Sequence, residues 1–369
     1  MSSDDICIGD NFSTFEKQDK VLVALSGGVD SSVCIRILKD QGFDVTALVI
    51  RFSPAHDKAV AAATEVAKQL NVPLHEADVT ELFEKDVIAP FCEEYCNGIT
   101  PSPCVMCNPL VKFRTLADAA DKLGIHFIAS GHYARVEETD GIYHIAKAIS
   151  APRDQSYMLY RLPQDILQRL LLPVGEFEKP DIREMAKDMH LASADAPDSQ
   201  EICFIPNGDY AEYIKSRGIA AKQGRFIGPK GEDLGAHKGV EHYTVGQRRG
   251  VGVAYGEPVF VKAILPNGDI QLSVGGEEFY SGITLTNTVF TSNVKAGDSL
   301  DIKIRSRAAA VPCTIESIVN LAQGDGICPN GAGLTVKFSE PQRAPAPGQS
   351  AVFYDADLVI GGGIITELL

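Results

Sequence analysis

Two groups of residues in this chain have the types and spacing to do chemistry. The first is Ser26-Gly27-Gly28-Val29-Asp30-Ser31-Ser32, which follows the apolar run Val21–Leu25 and precedes a helical pattern. Adjacent glycines let backbone N–H groups converge at a helix N-terminus, a place for an anionic phosphate, and the hydroxyls of Ser26, Ser31 and Ser32 add donors. Neither the Gly-Lys-Ser/Thr ending of a γ-phosphate cradle nor a G-x-G-x-x-G dinucleotide turn is present. A bare Ser-Gly-Gly is equally well explained as a serine-capped turn. The complete S-G-G-V-D-S after the first strand of an alternating pattern points to a nucleotide.

The second group is thiols. Cys104-Val105-Met106-Cys107 stands ahead of a helical pattern carrying Lys112 and Phe113. A cysteine close to a helix N-terminus and a lysine is expected to have a lowered pKa and to act as a thiolate. Cys203 lies where the polar Asp198-Ser199-Gln200-Glu201 meets the apolar Phe204-Ile205, and by itself it reads as core packing. Nine cysteines, an odd number scattered over 369 residues, suggest free thiols in a reducing compartment rather than a disulfide framework. Cys7, Cys34, Cys92, Cys96, Cys313 and Cys328 read as structural or incidental.

Both groups must be positioned by an α/β scaffold. Short apolar runs at Val21–Leu25, Val45–Ile50 and Leu74–Val79 predict buried strands. Helical faces are predicted at Ser31–Gln41, over Ala59 to Leu70 and from Leu82 to Phe91. A fourth cycle adds a helix over Leu110–Leu123 and a strand at His126–Ser130. This βαβα alternation predicts a parallel sheet covered by helices. Asp140-Gly141 predicts a hairpin, and further helices are predicted at Gln164–Leu172 and Pro180–Met189. From about residue 216 the chain turns Gly-rich, with a second hairpin at Asn267-Gly268, and Leu300–Leu369 reads as the strands of a small antiparallel barrel. The expected architecture is an N-terminal α/β domain with a parallel sheet, a small central domain and a C-terminal antiparallel β-barrel. The divisions fall at a 1–20 extension, 21–214, 215–283 and 284–369.

The net charge of −15 is unevenly placed. Residues 1–214 hold 19 Lys+Arg against 34 Asp+Glu, whereas residues 215–262 hold 9 against 4. An RNA is therefore expected on the middle of the chain, where Lys215, Arg217, Lys222, Arg225, Lys230, Lys238, Arg248 and Arg249 supply local positive charge. No apolar run approaches membrane-spanning length, and the polar start has no signal-peptide core, so a cytoplasmic location without a membrane partner is expected.

S-G-G-V-D-S resembles the loop of the ATP pyrophosphatase superfamily, whose members transfer AMP from ATP to a carbonyl oxygen. Gly131-His132-Tyr133, Arg153-Asp154-Gln155-Ser156-Tyr157, Tyr243-Thr244-Val245-Gly246-Gln247-Arg248-Arg249-Gly250, Lys303-Ile304-Arg305, Glu340-Pro341-Gln342-Arg343 and Pro347-Gly348-Gln349-Ser350 narrow the resemblance. Together they are similar to one family, the tRNA-specific 2-thiouridylases, over nearly the whole chain from Val21. That resemblance implies a tRNA-uridine 2-sulfurtransferase acting on the wobble uridine of tRNAs for Lys, Glu and Gln, with ATP and Mg²⁺ as cofactors. A sulfur donor protein, a cysteine desulfurase or sulfur-relay protein, is implied as partner.

By motif, Cys107 matches the nucleophile and Cys203 the cysteine that accepts sulfur as a persulfide. Ala24, Leu25, Ser26, Gly27, Gly28, Val29, Asp30, Ser31, Ile50 and Gly131 match the ATP site. Ser102, Pro103 and Cys104 match the place of the target base. His132, Arg153, Asp154, Gln155, Arg305, Ser306 and Gln349 match tRNA contacts. The chain departs from the family pattern at Ser102, where Asn is usual, at Pro109, where Arg or Lys is frequent, at Ser306, where an aromatic is usual, and at Ile50, where many members have Met.

Two mechanisms suit the cysteines. A persulfide on Cys203 attacks the adenylated base and Cys107 resolves it, or Cys104, Cys107 and Cys203 ligate an iron–sulfur cluster. Zinc at the same three ligands is a further option. The other function classes are a small-molecule adenylating ligase or amidotransferase of the same superfamily and an RNA-binding protein with a decayed nucleotide site. Neither needs both the basic middle stretch and an intact loop with its cysteines.

Overall fold

The computed structural model describes residues 19–191, 202–205, 207–319 and 330–369. Most of the expected 1–20 extension, Cys7, the Asp198–Glu201 lead and Cys328 lie outside the described residues. The apolar runs become β1 (Lys20–Ala24), β2 (Asp44–Arg51) and β3 (Leu74–Asp78), separated by α1 (Val29–Asp40) and α2 (Asp57–Leu70). Two long helical stretches follow, α3 over 80–96 and α4 over 103–123, and then β4 (Phe127–Ser130). Each stretch contains a π turn, Glu84–Ile88 in α3 and Asn108–Lys112 in α4. Pro90 and Pro109 lack the N–H that would continue the regular ladder, and the wide turn precedes or contains each of them.

The chain next forms the hairpin β5 (Ala134–Thr139) and β6 (Ile142–Lys147), α5 (Gln164–Leu167), β7 (Leu170–Leu171) and α6 (Lys179–Asp188). Asp140 and Gly141 sit at the hairpin tip with φ of 53° and 79°, the left-handed pair that a two-residue turn requires. The helix predicted to reach Leu172 stops at Leu167. Leu170 and Leu171 instead pair with Ile128 and Ala129, supplying partners to the outer edge of β4.

Strands β3, β2, β1, β4 and β7, in that spatial order, make one parallel sheet. Its strands alternate faces, as the period of two demands. Val21 and Val23 pack with α1, α2 and α6, whereas Leu22 packs with α4 and with residues of the C-terminal barrel. All three are fully buried.

Helix α7 (Tyr210–Ser216) leads to a separate sheet of β8 (Arg225–Ile227), β9 (Asp233–Ala236), β10 (Val259–Ile264) and β11 (Ile270–Val274), with Asn267-Gly268 at the expected hairpin. Phe226, Tyr243, Val261 and Leu272 contribute to its core. Strands β12 (Phe279–Phe290), β13 (Ser299–Lys303), β14 (Val311–Val319), β15 (Gly333–Arg343), β16 (Ser350–Asp355) and β17 (Leu358–Leu368) then close into a six-stranded barrel, because β17 pairs with both β16 and β12. The barrel thus begins with β12, before the run from Leu300. The hairpin β5–β6 extends the same sheet through Leu358 and Ala146. No described helix is long and apolar enough to cross a membrane.

Candidate active site

Strand order reverses at β1, whose neighbours β2 and β4 come from opposite sides of the chain's path. The crevice above the carboxyl ends of β1 and β4 is the topological switch point at which open α/β sheets bind ligands. Ala24 and Leu25 lead into it from β1, Ile50 lies one residue before the end of the neighbouring β2, and Ser26–Ser31 wraps from β1 into α1. Gly27 has φ +77°, and a Cβ there would lie 2.7 Å from Ala62 Cβ, so the loop can lie on α2 only with glycine. The serine hydroxyls depart from the expected phosphate donors. Ser31 and Ser32 both donate to the Gly28 carbonyl, at 3.1 and 2.8 Å, and Ser31 Oγ accepts from the Ser26 N–H. They shape the loop, and the first N–H groups of α1 are left without intrahelical acceptors.

Residues 131–133, just past β4, tie this loop to the cysteines. A Cβ at Gly131 would come within 2.7 Å of the Asp30 and Ser31 backbone, so glycine alone permits the contact. Tyr133 Oη donates to Asp30 Oδ1 at 2.8 Å, and Gln155 Oε1 accepts from the Tyr133 N–H at 2.9 Å. Asp30 Oδ1 also receives Lys179 Nζ at 2.7 Å. Sequence reasoning missed Lys179, although a signal was present: a lysine at the first position of a helix opposes the helix dipole unless a carboxylate elsewhere compensates it.

His132 turns the other way. Its Nδ1 lies 2.8 Å from Ser130 Oγ and its Nε2 3.4 Å from Lys112 Nζ, and burial followed by the Lys112 charge holds its pKa well below the ordinary value. Lys112 in turn acts electrostatically on Cys104, Cys107 and Cys203. The three cysteines are therefore brought together, since Cys203 raises the pKa of Cys107 and Cys104 raises that of both.

The expected lowered pKa is overturned. Helix α4 starts at Pro103, so Cys107 lies inside the helix and is only 9% exposed. Burial pushes its thiol up to about 12 against the pull of Lys112. Cys104 is raised for the same reason. Cys203 is exposed as a residue but crowded on its protein side, which pushes its thiol up to about 11. A raised pKa favours the protonated form of Cys203 at neutral pH. Alkylation of Cys203 in the RNA-free protein should therefore climb about tenfold per pH unit from neutrality to about pH 10. A plateau below pH 9, followed by mass spectrometry at each cysteine, would contradict this.

Several expected tRNA contacts are engaged inside the protein. Asp154 accepts from the Ala148 and Ser156 N–H groups and from Ser156 Oγ, and pairs with Lys303 at 3.4 Å. Arg305 donates to the carbonyls of Val245 and Ala344, and Gln349 to those of Thr100 and Pro101. Arg153 and Ser306 are half-buried beside these junctions. Of the basic central residues, Arg217 pairs with Glu84 and Arg225 with Asp233, whereas Lys215, Lys222, Lys230, Lys238, Arg248 and Arg249 are exposed. Joint Arg248→Ala and Arg249→Ala substitution should weaken tRNA binding about tenfold at low salt and flatten the log–log salt dependence by about 1.5. Filter binding over a salt series measures this, and an unchanged slope would place the RNA elsewhere.

A cavity of about 160 Å³ adjoins the segment expected to hold the target base. Pro101, Ser102, Pro103 and Met106 line one wall and Asn287, Gly348 and Ile364 of the barrel another. As placed, the described residues include no group of three His, Cys, Asp or Glu that could hold a metal ion.

A parallel sheet with this loop at its switch point, followed by a small β-domain and a closed barrel, defines an α/β protein with two appended β-domains. Family models agree domain by domain: "tRNA methyl transferase HUP domain" matches residues 19–207, "tRNA methyl transferase PRC-barrel domain" 211–271, and "Aminomethyltransferase beta-barrel domain" 281–365. Full-length relatives are more specific. The tRNA-specific 2-thiouridylase MnmA of Clostridium acetobutylicum is 40% identical over 367 residues, covering 94% of this chain and 99% of that protein. Its counterpart in Carboxydothermus hydrogenoformans is 39% identical, with 95% and 98% covered. That of Syntrophotalea carbinolica is 40% identical, with 95% and 99% covered. The chain belongs to the tRNA-specific 2-thiouridylase family.

Proposed function

We propose that the chain uses ATP to activate the C2 oxygen of a tRNA uridine, the wobble uridine of the acceptors named above, and replaces it with sulfur carried on Cys203. The carrying observation is that consecutive residues join the two halves of the site: Gly131 and Tyr133 hold the phosphate loop, and His132 meets the lysine that acts on all three cysteines. Adenylation and sulfur transfer can then occur on one base in one crevice.

The C2 oxygen attacks the α-phosphorus of ATP and pyrophosphate leaves, which converts an oxide, a poor leaving group, into AMP. The N-terminus of α1 faces the phosphates. Mg²⁺ would be held by one carboxylate together with the phosphates, and Asp30 fits that role as the acidic residue of the loop. Sulfur arrives from a donor protein as a persulfide on the exposed Cys203. Its terminal sulfur attacks C2 and expels AMP, leaving the base joined to Cys203 through a disulfide. Cys107 Sγ then attacks Cys203 Sγ, its proton passing to the departing 2-thio base, and closes a Cys107–Cys203 disulfide, which external thiols reduce. His132, kept neutral by burial and by Lys112, adds no second positive charge beside the thiols.

On the alternative route Cys104, Cys107 and Cys203 are the residues that would hold an iron–sulfur cluster, and ligation there would require all three thiols, whose pKa values burial raises, to give up their protons. The test is pyrophosphate release from ATP with and without tRNA, followed by nucleoside mass analysis. Release only with tRNA, and a 16-mass-unit gain on uridine as sulfur replaces oxygen, roughly 32 against 16, supports the reading. Equal release without tRNA would instead favour a small-molecule ligase.

A further inference from the structure

We propose that the barrel turn Pro347-Gly348-Gln349 is a clamp that sets the position of the cysteine helix α4, with Gln349 a positioning residue acting through the backbone of Thr100 and Pro101. The inference deepens the function proposed above, resting on Cys107 as the reacting thiol.

Segment 99–103 leads directly into α4 and contains two prolines, Pro101 and Pro103, which supply no N–H. It therefore has few donors with which to anchor itself, and the barrel provides the ties. Gln349 Nε2 donates to the Thr100 carbonyl at 3.0 Å and to the Pro101 carbonyl at 3.2 Å, while the Thr100 N–H donates to the Pro347 carbonyl at 3.0 Å. Between these bonds Gly348 has φ +90°, and a Cβ on it would lie 2.2 Å from Ile99 Cγ2 and 2.9 Å from the Thr100 oxygen. Only glycine lets the two backbones lie this close. The turn is itself fixed in the barrel, as Gly348 N–H donates to Ile365 and Ile365 N–H to Gln349, both at 2.9 Å.

The chemistry of the amide separates this role from a phosphate contact. A glutamine NH₂ has two protons, and here both face protein carbonyls. What remains is Oε1, an acceptor with nothing to offer a phosphate. Gln349 thus binds the cysteine segment to the barrel, and the cavity lined by Gly348, Pro101 and Pro103 lies against that junction.

The test is iodoacetamide labelling of the full-length protein without ATP or tRNA, resolved by cysteine, alongside tRNA affinity and steady-state kinetics. Gln349→Met keeps the length of the side chain and removes both donors. Cys104 and Cys107 are expected to label about fivefold faster, while Cys34 and Cys313, buried in other cores, stay protected. The kcat should fall, with tRNA Kd and KM moving less than about twofold. Gln349→Lys, which returns a donor to the two carbonyls, should restore slow labelling. Unchanged labelling overturns the clamp, whether tRNA affinity falls or not; a fall of about tenfold with unchanged labelling would make Gln349 an RNA contact. If Gln349→Met also exposes Cys34 and Cys313, the lysine variant decides, slow labelling supporting the clamp and fast labelling overturning it. Because labelling needs neither ATP nor tRNA, its result stands even if the thiolation reading fails.

Discussion

Cys203→Ser is expected to abolish tRNA thiolation, by at least about a thousandfold, while leaving tRNA-dependent pyrophosphate release near the wild-type rate. Activation of the base needs ATP and the bound uridine, whereas a serine cannot carry a persulfide. Cys107→Ser should fail differently. Sulfur still loads on Cys203 and attacks the activated base, but no thiol remains to break the mixed disulfide, so at most one RNA per enzyme is trapped. Cys104→Ser is the discriminating variant. On the persulfide route it retains much of the activity, because Cys104 takes no part in either displacement. Pyrophosphate release, persulfide labelling and thionucleoside yield in the three variants are the measurements. Loss of turnover in Cys104→Ser from an iron-containing preparation, with wild type active without any persulfide donor, would sink the persulfide route.

The second large effect is expected at Asp30. Asp30→Ala should abolish pyrophosphate release and leave tRNA affinity within about twofold, because the basic residues of the central domain are far along the chain from it. It should also destabilise the protein. Lys179, with only 9% of its side chain exposed, loses the carboxylate 2.7 Å away. The Asp30 side chain is 32% exposed, so the cost is about 1–3 kcal/mol rather than that of a fully buried pair. Asp30→Asn keeps a hydrogen-bonding shape without the charge and separates the two effects: it should recover part of the stability and none of the catalysis. Wild-type pyrophosphate release in either variant would remove Asp30 from the reaction.

Much of the scaffold is legible in local pattern. The apolar runs of β1, β2 and β3 are short and flanked by turns, and each strand lies within two residues of its predicted place. The glycine turn after β1 is legible for the same reason, since Gly27 stands where a side chain would collide with α2. The thiols are not. Whether a cysteine is acidic depends on the balance between a nearby lysine and the surrounding burial. Lys112 is visible in the sequence, but the packing of α4 is not, so the sign of the shift at Cys107 is reversed. Cys203 has no local mark that separates it from core packing, and only the family resemblance picks it out. Arg305 and Gln349 are expected to meet RNA only through the family resemblance, and their donors meet carbonyls contributed by segments far away in sequence, which no local pattern announces.

The hairpin β5–β6 continues the barrel sheet from within the chain that forms the parallel-sheet domain. Those two domains consequently share a beam and cannot swing apart about a hinge without breaking strand pairing. The central sheet pairs with neither among the described residues. It is joined to the frame through side-chain contacts instead, such as Arg305 to the Val245 carbonyl and Arg343 over the Phe260 ring.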